Sequence, residues 1–330
     1  MAKFMTKNSP LGIGIIGTGF TAKRRAEAIN QDDRARLVAV SGRTPERTAA
    51  FCETHHTQPQ EDWQALIGDR DIDLIIVCTI NSIRAEPIEA ALNAGKHVVT
   101  EYPLCLDPEK AADLIQLARS RNLLLHVEHI ELLGGLHQAL LSHLPQIGTV
   151  NYARYITLSA QRPVSQRWSY HLDDFGFPLS AALSRIHRFT DALGQVDTVY
   201  CQARFWETQS RYYSACLCNA QLGFASGAIA DIIYGKGDRF WRSERTLEVH
   251  GDQGTLIFSV QDGQLIRGED ITPITFPRRR GLFTQDTQAI LDRLLDNKPL
   301  YVTPEASLYS LRVADAARQS AQSQQMIRLS

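Results

Sequence analysis

The order of elements predicted for the first 130 residues restricts the fold more than any other feature of this chain. Short apolar runs alternate there with amphipathic segments, as buried strands alternate with helices. Consecutive strands joined by helical crossovers pair in parallel, so the pattern predicts a doubly wound sheet. The predicted strands are 11–17, 37–42, 73–79, 97–101 and 123–127, and the predicted helices are 22–30, 45–55, 83–93 and 108–121.

The pattern changes near Gly148. Long alternating segments such as NYARYITLSA and YSACLCNAQLGF follow, with GKGD and GDQG turns between them, and this favours antiparallel strands. Helical patterns cover 177–194, 281–296 and 303–322. We therefore predict an α/β Rossmann domain in residues 1–128, followed by an α+β domain with a large, mostly antiparallel open sheet in residues 129–330.

Length and composition agree with two packed globular domains. A chain of 330 residues exceeds the usual size of one core, and 44% hydrophobic with 22% charged residues is typical of globular proteins. The net charge of -1 argues against a nucleic-acid partner. The apolar run near the start is too short for a membrane span or a signal sequence, so we expect no membrane partner and a cytoplasmic location. The six scattered cysteines are expected to be reduced thiols.

A glycine-rich turn follows the first predicted strand. Gly17, Gly19 and Ala22 match GxGxxA, in which the glycines form the turn and admit a pyrophosphate, and the small third residue packs helix on strand. The overlapping GxGxxG of Gly12, Gly14 and Gly17 is out of register, because its first two glycines lie inside the strand. The turn therefore predicts a dinucleotide site.

The end of the second predicted strand indicates which dinucleotide binds. NAD-specific sites usually have a carboxylate about 20 residues after the glycines, but no carboxylate occurs between Asp33 and Glu46. Ser41, Arg43 and Thr44 offer instead two hydroxyls and a guanidinium, which suit a 2'-phosphate. NADPH is the predicted cofactor and NADH a weaker one; the alternative is that Arg43 is a solvated loop residue.

The segment 78–104, CTINSIRAEPIEAALNAGKHVVTEYPL, resembles the signature of the glucose-fructose oxidoreductase and inositol dehydrogenase family. The resemblance extends over essentially the whole chain and implies a Rossmann domain followed by an open-sheet substrate domain. Family members normally have Glu-Lys-Pro at the end of this segment. Their lysine acts with an Asp and a His on a helix of the second domain to move the proton of an alcohol.

This chain departs from the family at those three positions. Tyr102 replaces the lysine, and alignment of SRIHRFTD through Asp191 puts Ser184 and Arg188 at the Asp and His positions. His187 is one position out of register, and its use would need a shifted helix. Oxidation of an alcohol requires a base that works near neutral pH, so the changes disfavour sugar or polyol dehydrogenation.

Further motifs resemble the biliverdin reductases. Glu-Tyr-Pro at 101–103 and LLHVEHIELLGG at 124–135 are similar to that group, and QRWSYH, FGFPLSAALSRIHRFTD, IYGKGD, HGDQGTLIF, RRGLF and KPLY are similar to its bacterial, cyanobacterial type. The resemblance implies NADPH-dependent hydride transfer to the central methine carbon of biliverdin, with protonation of a pyrrole nitrogen, to give bilirubin.

The chemistry of such an acceptor agrees with the residues of the second domain. A conjugated bilin with two propionates calls for aromatic walls and arginines. Arg185 and Arg188 lie three apart on one predicted helix. Arg185 is favoured as the functional one, because Asp191 can pair with Arg188. Tyr102 is a candidate proton donor or ring wall, or only a steric replacement for lysine.

These arguments define the candidate site. The predicted catalytic residues are Arg185, Tyr102 and Arg188. The predicted cofactor contacts are Gly17, Gly19, Phe20, Ala22, Ser41, Arg43, Thr44, Thr79, Asn81, Glu101 and Tyr102. The predicted substrate contacts are Arg185, Arg188, His129, Glu131 and Trp168.

Several alternatives stay open at this point. The group His126, Glu128, His129 and Glu131 could bind a metal, although hydride transfer needs none and no metal is predicted. The run 278–280 could cover a propionate or the cofactor phosphate, or be solvated. Another conjugated or carbonyl acceptor, or a non-catalytic NADP(H)-binding regulator, is the alternative function. The open sheet suggests a homodimer as a further possibility.

Overall fold

A computed structural model describes residues 9–208 and 210–329, and the chain divides into two compact units. Unit 1 contains the described residues up to Ile130 together with Gly281–Leu308, and unit 2 contains Glu131–Arg280 and the residues from Tyr309 onward. The single domain boundary after residue 128 that the sequence predicts therefore does not include the return of the chain to unit 1. The reason is packing: Ile290 and Leu291 are buried in the same core as β-strand residues such as Ile13.

Strands and helices are numbered in chain order. The strands are β1 Leu11–Ile16, β2 Ala35–Ser41, β3 Gln58–Pro59, β4 Leu74–Val77, β5 His97–Glu101, β6 Leu125–Glu128, β7 Val150–Ala160, β8 Val196–Trp206, β9 Ala215–Phe224, β10 Ile229–Gly237, β11 Glu244–Gly251, β12 Gly254–Phe258, β13 Gly263–Arg267, β14 Asp270–Ile274 and β15 Ile327–Arg328. The helices are α1 Phe20–Ile29, α2 Pro45–His55, α3 Trp63–Gly68, α4 Ala85–Asn93, α5 Pro108–Ser120, α6 Gly135–His143, α7 Leu172–Phe175, α8 Pro178–Ala181, α9 Ser184–Leu193, α10 Leu282–Asp296 and α11 Pro304–Ser323. Short 3-10 turns lie at Asn81–Ile83, Leu144–Ile147 and Trp168–Tyr170.

Unit 1 contains, among the described residues, a six-stranded sheet in the order β3-β2-β1-β4-β5-β6. All its neighbouring strands pair in parallel. Every residue of β1 and β4 is buried, as expected for central strands covered by helices on both faces. The strand order reverses at β1 and β4, so their carboxyl ends form the switch point where open α/β sheets bind ligands. The predicted doubly wound sheet is confirmed.

Unit 2 contains, within the described ranges, a nine-stranded sheet in the order β14-β13-β12-β11-β7-β10-β9-β8-β15. Only β7 and β10 pair in parallel among these strands, and the other neighbours are antiparallel. Burial alternates along β9, as it does when one sheet face is covered and the other is open. The predicted open, mostly antiparallel sheet is confirmed.

The helical pattern predicted at 177–194 is interrupted. Two helices occupy it, α8 and α9, and Ala182 between them has φ -100° and ψ 32°, outside the α-helical region. The break makes Ser184 the first residue of α9 and places Arg185 in its first turn. No helix in the described part of the chain has both the length and the apolar composition needed to cross a membrane.

Candidate active site

The glycine turn of unit 1 has the geometry of a dinucleotide site. Gly17 has φ 121°, and a Cβ there would lie 2.6 Å from the Cys78 carbonyl oxygen, so only glycine fits. A Cβ at Gly19 would meet no atom within 4 Å, which leaves room for a ligand at the start of α1. Ala22 is fully buried under that helix. The tight turn, the open space for a ligand and the buried packing residue are thus found at the three residues of GxGxxA.

The overlapping pattern has a structural role instead. Gly12 and Gly14 lie inside β1, and a Cβ on Gly12 would be 1.8 Å from the Asp71 carbonyl oxygen. Close packing therefore accounts for these two glycines, against backbone at Gly12 and against the side chains of Ile72, Ile75 and Leu66 at Gly14.

The end of β2 lies beside the glycine turn. The backbone N–H of Gly17 donates to the Ser41 carbonyl oxygen at 2.7 Å, and the Ser41 side chain is buried. Arg43 follows as an exposed residue, and Thr44 is the N-cap residue of α2, with no side-chain capping bond. Phe20 is 69% exposed at the first position of α1. The guanidinium of Arg43 is therefore accessible to an anion.

Arg84 organises the loops after β4 and β5, and sequence reasoning did not single it out. Its guanidinium is buried and donates to the carbonyl oxygens of Thr79 at 2.7 Å, Glu101 at 3.1 Å and Pro103 at 2.6 Å. Asn81 is buried in the turn between them. Only the position of Arg84 inside the family-like segment could have drawn attention to it, because a lone arginine in a sequence does not reveal backbone partners.

Tyr102 is held by a stacked histidine. The rings of Tyr102 and His129 lie 5.0 Å apart between centroids with an interplanar angle of 15°. His129 is fully buried, and its Nε2 lies 2.9 Å from Ser307 Oγ, while its backbone N–H donates to Tyr301 at 3.1 Å. His129 thus fixes the orientation of the Tyr102 ring. A direct contact of His129 with substrate stays a prediction.

Unit 1 also contains a buried ionic network around Asp286. Asp286 forms an ion pair with Arg25, both fully buried, and its Oδ1 lies 2.8 Å from His126 Nε2. Tyr301 donates to the same carboxylate at 2.7 Å. Burial alone would raise the pKa of Asp286, but Arg25 and His126 offset this and hold the pKa below its usual range. Asp286 is therefore an anion inside unit 1.

Glu128 completes the group of residues considered above as metal ligands. It pairs in register with Glu101 across β5 and β6. Burial and the neighbouring Glu101 carboxylate raise the pKa of Glu128 well above its usual value. Its Oε2 accepts the backbone N–H of Ile130 at 2.9 Å. Within unit 1, the side chains of His126, Glu128 and His129 thus each have a hydrogen-bond partner in the protein.

Unit 2 concentrates positive charge around one carboxylate. Glu131 Oε1 lies 2.7 Å from Arg279, and its Oε2 lies 3.3 Å from Arg245 and 3.7 Å from Arg188. Burial would raise the pKa of Glu131, but the surrounding guanidiniums, including that of Arg185, lower it below its usual value. We call Arg185, Arg188, Arg245 and Arg279 the arginine cluster.

Tyr155 lies within reach of the same cations. Its hydroxyl accepts from Arg245 Nε at 2.9 Å, and the Arg188 guanidinium lies 5.7 Å from its ring centroid. Burial would raise the pKa of Tyr155, but Arg188, Arg245 and Arg185 more than offset it and lower the pKa. Neither Arg245 nor Tyr155 was predicted, because they lie on β11 and β7 and only the antiparallel pairing of these strands brings them together.

The expected pairing of Arg188 with Asp191 is wrong. Asp191 accepts from His137 Nε2 at 2.8 Å, and Arg188 lies against Glu131 and Tyr155 instead. Spacing along a helix permits an i,i+3 pair, but side chains on other elements compete for both partners. Arg188 therefore stays in the cluster with Arg185.

Arg185 occupies a position that does not favour helix stability. It lies in the first turn of α9, where the helix dipole disfavours a cation. Its Nη1 donates to Ser184 Oγ at 2.9 Å, and its guanidinium lies 5.6 Å from the Tyr234 ring centroid. Burial lowers the pKa of the adjacent His187 to about 4, so that imidazole is a weak base at neutral pH.

Trp168 belongs to an aromatic group in unit 2. It is 40% exposed, and its ring centroid lies 5.9 Å from that of Phe175. Lys236 Nζ lies 3.4 Å from the Phe175 centroid and donates to the Ser169 carbonyl oxygen. Burial lowers the pKa of Lys236 to about 7. The group holds an indole ring at the surface of the unit.

Comparison with known proteins identifies the family. A model described as an oxidoreductase family, NAD-binding Rossmann fold, matches residues 11–129, and its companion C-terminal alpha/beta domain matches residues 144–329. This chain belongs to that oxidoreductase family. Residues 11–129 therefore form the family's NAD-binding domain.

One solved structure of this oxidoreductase family is similar over nearly the whole chain. It is biliverdin reductase from Synechocystis sp. PCC 6803 in complex with biliverdin and NADP+, with 53% identity and a TM-score of 0.93 over 95% of this chain and 100% of that chain. Mouse biliverdin reductase A is 24% identical over 57% of this chain and 60% of its own length. A dTDP-3,4-didehydro-2,6-dideoxy-alpha-D-glucose 3-reductase of Actinomadura kijaniata is 36% identical, but the match spans only 36% of that relative and of this chain.

The relatives of this chain thus include both a reductase of a dTDP-sugar and a biliverdin reductase. The fold alone does not select the substrate, and the site residues must do so. Tyr102, Ser184 and Arg188 occupy the positions at which the resemblance predicts the residues that handle the alcohol proton.

Proposed function

We propose that this protein is an NADPH-dependent biliverdin reductase. A hydride goes to the central methine carbon of biliverdin, a pyrrole nitrogen gains a proton, and bilirubin is formed. The observation that carries the proposal is the 53% identity over 95% of the chain with the Synechocystis enzyme bound to biliverdin and NADP+. The site geometry supports it independently through the arginine cluster and the missing alcohol base.

The residues of unit 1 fit the dinucleotide. The open space at Gly19 and the start of α1 suit a pyrophosphate, and the exposed Arg43 suits the 2'-phosphate. When bound, NADPH supplies the hydride. Arg84 fixes the backbone of Thr79 and Glu101, two of the predicted cofactor contacts, by hydrogen bonds to their carbonyl oxygens.

The residues of unit 2 fit an acceptor that needs no base. Reduction of a methine carbon makes no alkoxide, so the loss of the alcohol-handling residues at 184 and 188 does not impair it. Arg185 stabilises the negative charge that develops on the tetrapyrrole through its own positive charge and an ordered water, and it is not a literal proton donor. Tyr102 provides a ring wall and a hydroxyl.

A direct assay separates the proposed function from its rivals. Purified protein is mixed with NADPH and biliverdin, and the absorbance of the pigment is followed. Conversion of the green pigment to a yellow one supports the proposal. Cofactor binding without turnover of any bilin favours a regulator, and reduction of a sugar or another carbonyl substrate but not of biliverdin favours the other enzyme.

Replacement of Arg43 tests the cofactor assignment. Arg43→Ala is expected to raise the KM for NADPH by about 10- to 100-fold, the range of a lost charge-assisted bond, and to leave the KM for NADH nearly unchanged. Steady-state kinetics with both cofactors measure this. Arg36→Ala, at the exposed amino end of β2, is the control and should change neither value. Equal effects of Arg43→Ala on both cofactors would remove the 2'-phosphate from the assignment.

Two expectations from the sequence remain predictions. The protein is expected in the cytoplasm, and a homodimer through the open sheet of unit 2 is the possibility that the sequence raises. Cell fractionation and sedimentation of the purified protein test them. A monomer at assay concentration would contradict the dimer.

A further inference from the structure

The arginine cluster holds more positive charge than its own carboxylate can balance. Three guanidiniums, those of Arg188, Arg245 and Arg279, lie within 4 Å of the Glu131 carboxylate, which carries a single negative charge. Like charges that converge on one buried group repel one another, and the repulsion is stronger where water is excluded. A protein keeps such an arrangement where an anion completes it.

Buried donors in the same cluster point to where that anion binds. Nε and Nη1 of Arg188 and Nε of Arg185 are buried and have no hydrogen-bond partner among the described residues. The Arg188 side chain is 2% exposed. Buried guanidinium donors without acceptors are rare and costly, so each one requires a ligand or a function.

The geometry of Glu131 explains how these cations are kept in place. Its two oxygens both face guanidiniums, with Arg279 on Oε1 and Arg245 and Arg188 on Oε2. The carboxylate itself is only 8% exposed. Glu131 therefore has its acceptor sites directed at arginines, and not at a substrate. Its own negative charge would moreover repel a propionate.

The exposed fraction of the arginines increases away from Arg188. The Arg245 side chain is 24% exposed and the Arg279 side chain is 54% exposed. Arg245 is fixed further by Tyr155, whose hydroxyl accepts from its Nε. An anion can thus reach Arg279 and Arg245 from solvent, with Arg188 below them. Planar guanidinium groups suit a carboxylate, which accepts bidentate bonds.

We propose that Arg188, Arg245 and Arg279 form a receptor for a propionate carboxylate of the bilin, and that Glu131 is the positioning residue that holds these guanidiniums before substrate binds. The inference rests on the proposed function, since it is the bilin that supplies the carboxylate. It assigns to Arg245 and Arg279 a role in substrate specificity. Glu131, predicted from the sequence as a substrate contact, becomes the residue that positions the guanidiniums. Preorganised charges lose little freedom on binding, so the receptor favours an acid over an ester.

The test compares two substrates that differ only in the carboxylates. Biliverdin and its dimethyl ester have the same conjugated ring system, but the ester cannot form an ion pair. Wild-type protein is expected to reduce both, with kcat/KM for the diacid about 10- to 100-fold higher. Arg245→Ala and Arg279→Ala are each expected to lower kcat/KM for biliverdin by about 10-fold or more, mainly through KM, and to leave the ester unchanged.

The role of Glu131 is tested by the ratio of kcat/KM for biliverdin to kcat/KM for its dimethyl ester. Glu131→Gln keeps the size of the side chain but removes the charge that holds the arginines, so the preference for the diacid is expected to fall, and Glu131→Asp is expected to restore part of it. A merely structural role would lower turnover of both substrates together. The Arg279 side chain is half-exposed, so Arg279→Ala can still be measured if a variant at a more buried position fails to fold.

Arg154→Ala is the matched control. Arg154 precedes Tyr155 on β7, so it lies on the opposite face of the sheet, and it pairs with Glu248 at 2.7 Å. Its replacement should leave the diacid-to-ester ratio unchanged. Equal loss with both substrates in Arg245→Ala and Arg279→Ala, or no preference in the wild type, overturns the receptor. Wild-type protein that reduces neither pigment refutes the proposed function itself, before any variant is compared.

Discussion

Arg185→Ala is expected to lower kcat for biliverdin reduction by about 100-fold or more, with NADPH affinity unchanged. The guanidinium lies in the first turn of α9, beside the Tyr234 ring, with a buried Nε that has no partner in the described part of the protein. Removal of one preorganised donor aimed at developing charge typically costs 100- to 1,000-fold. Stopped-flow and steady-state absorbance measurements of pigment reduction give kcat, and fluorescence titration gives the Kd for NADPH.

Arg185→Lys distinguishes charge from geometry. Lysine keeps the positive charge but loses the planar fork, so partial recovery of kcat is expected. A wild-type rate in Arg185→Ala would exclude Arg185 from the mechanism. An effect confined to NADPH binding would also contradict the proposed role, because it would place Arg185 at the cofactor.

Asp286→Asn is expected to lower the free energy of unfolding by about 3–5 kcal/mol. The change removes the anion from a fully buried ion pair and leaves the Arg25 guanidinium inside unit 1 without its ion-pair partner. Urea denaturation at pH 7 measures the loss. Asp292→Asn on the same helix is the control, since Asp292 pairs with Arg34 at 2.6 Å and Lys298 at 2.7 Å near the surface and should cost about 1 kcal/mol or less.

The same carboxylate predicts part of the acid response. The pKa of Asp286 is lowered in the folded protein, so its stabilising contribution is present above the unfolded pKa of about 3.9 and is lost as pH falls through the folded pKa. Asp286→Asn should lack this contribution, so its deficit relative to wild type should shrink at acid pH. A deficit that stays constant down to unfolding would show that the lost bonds, and not the charge, stabilise unit 1.

Much of the fold could be predicted from periodicity. In the first 130 residues every predicted strand and helix ends within two residues of an observed one, because buried parallel strands and their amphipathic crossovers give strong local signals. The edge strand β3 and the short helix α3 were missed, since two and six residues carry little pattern. The assignment of α10 to a domain also failed, because an apolar helix face does not specify which core it joins.

The candidate site was predictable where one segment carries the chemistry. Gly17 has the turn conformation and Ala22 the buried packing that the motif predicts, and the pyrophosphate contact at Gly19 stays a prediction. Arg185 and Arg188 both lie in the arginine cluster. Arg245 could not be foreseen, because the approach of β11 to β7 is a long-range pairing. Glu131 was named as a substrate contact, but its sequence neighbours give no sign of the arginines that surround it.

The transfer of label from the cofactor tests the central claim most directly. The protein is incubated with biliverdin and NADPH carrying deuterium at C4 of the nicotinamide, each epimer in turn, and the product is examined by mass spectrometry and NMR. The proposed function predicts that one epimer delivers one deuterium to the central bridging carbon of bilirubin. If neither epimer gives bilirubin with deuterium at that carbon, direct hydride transfer is contradicted.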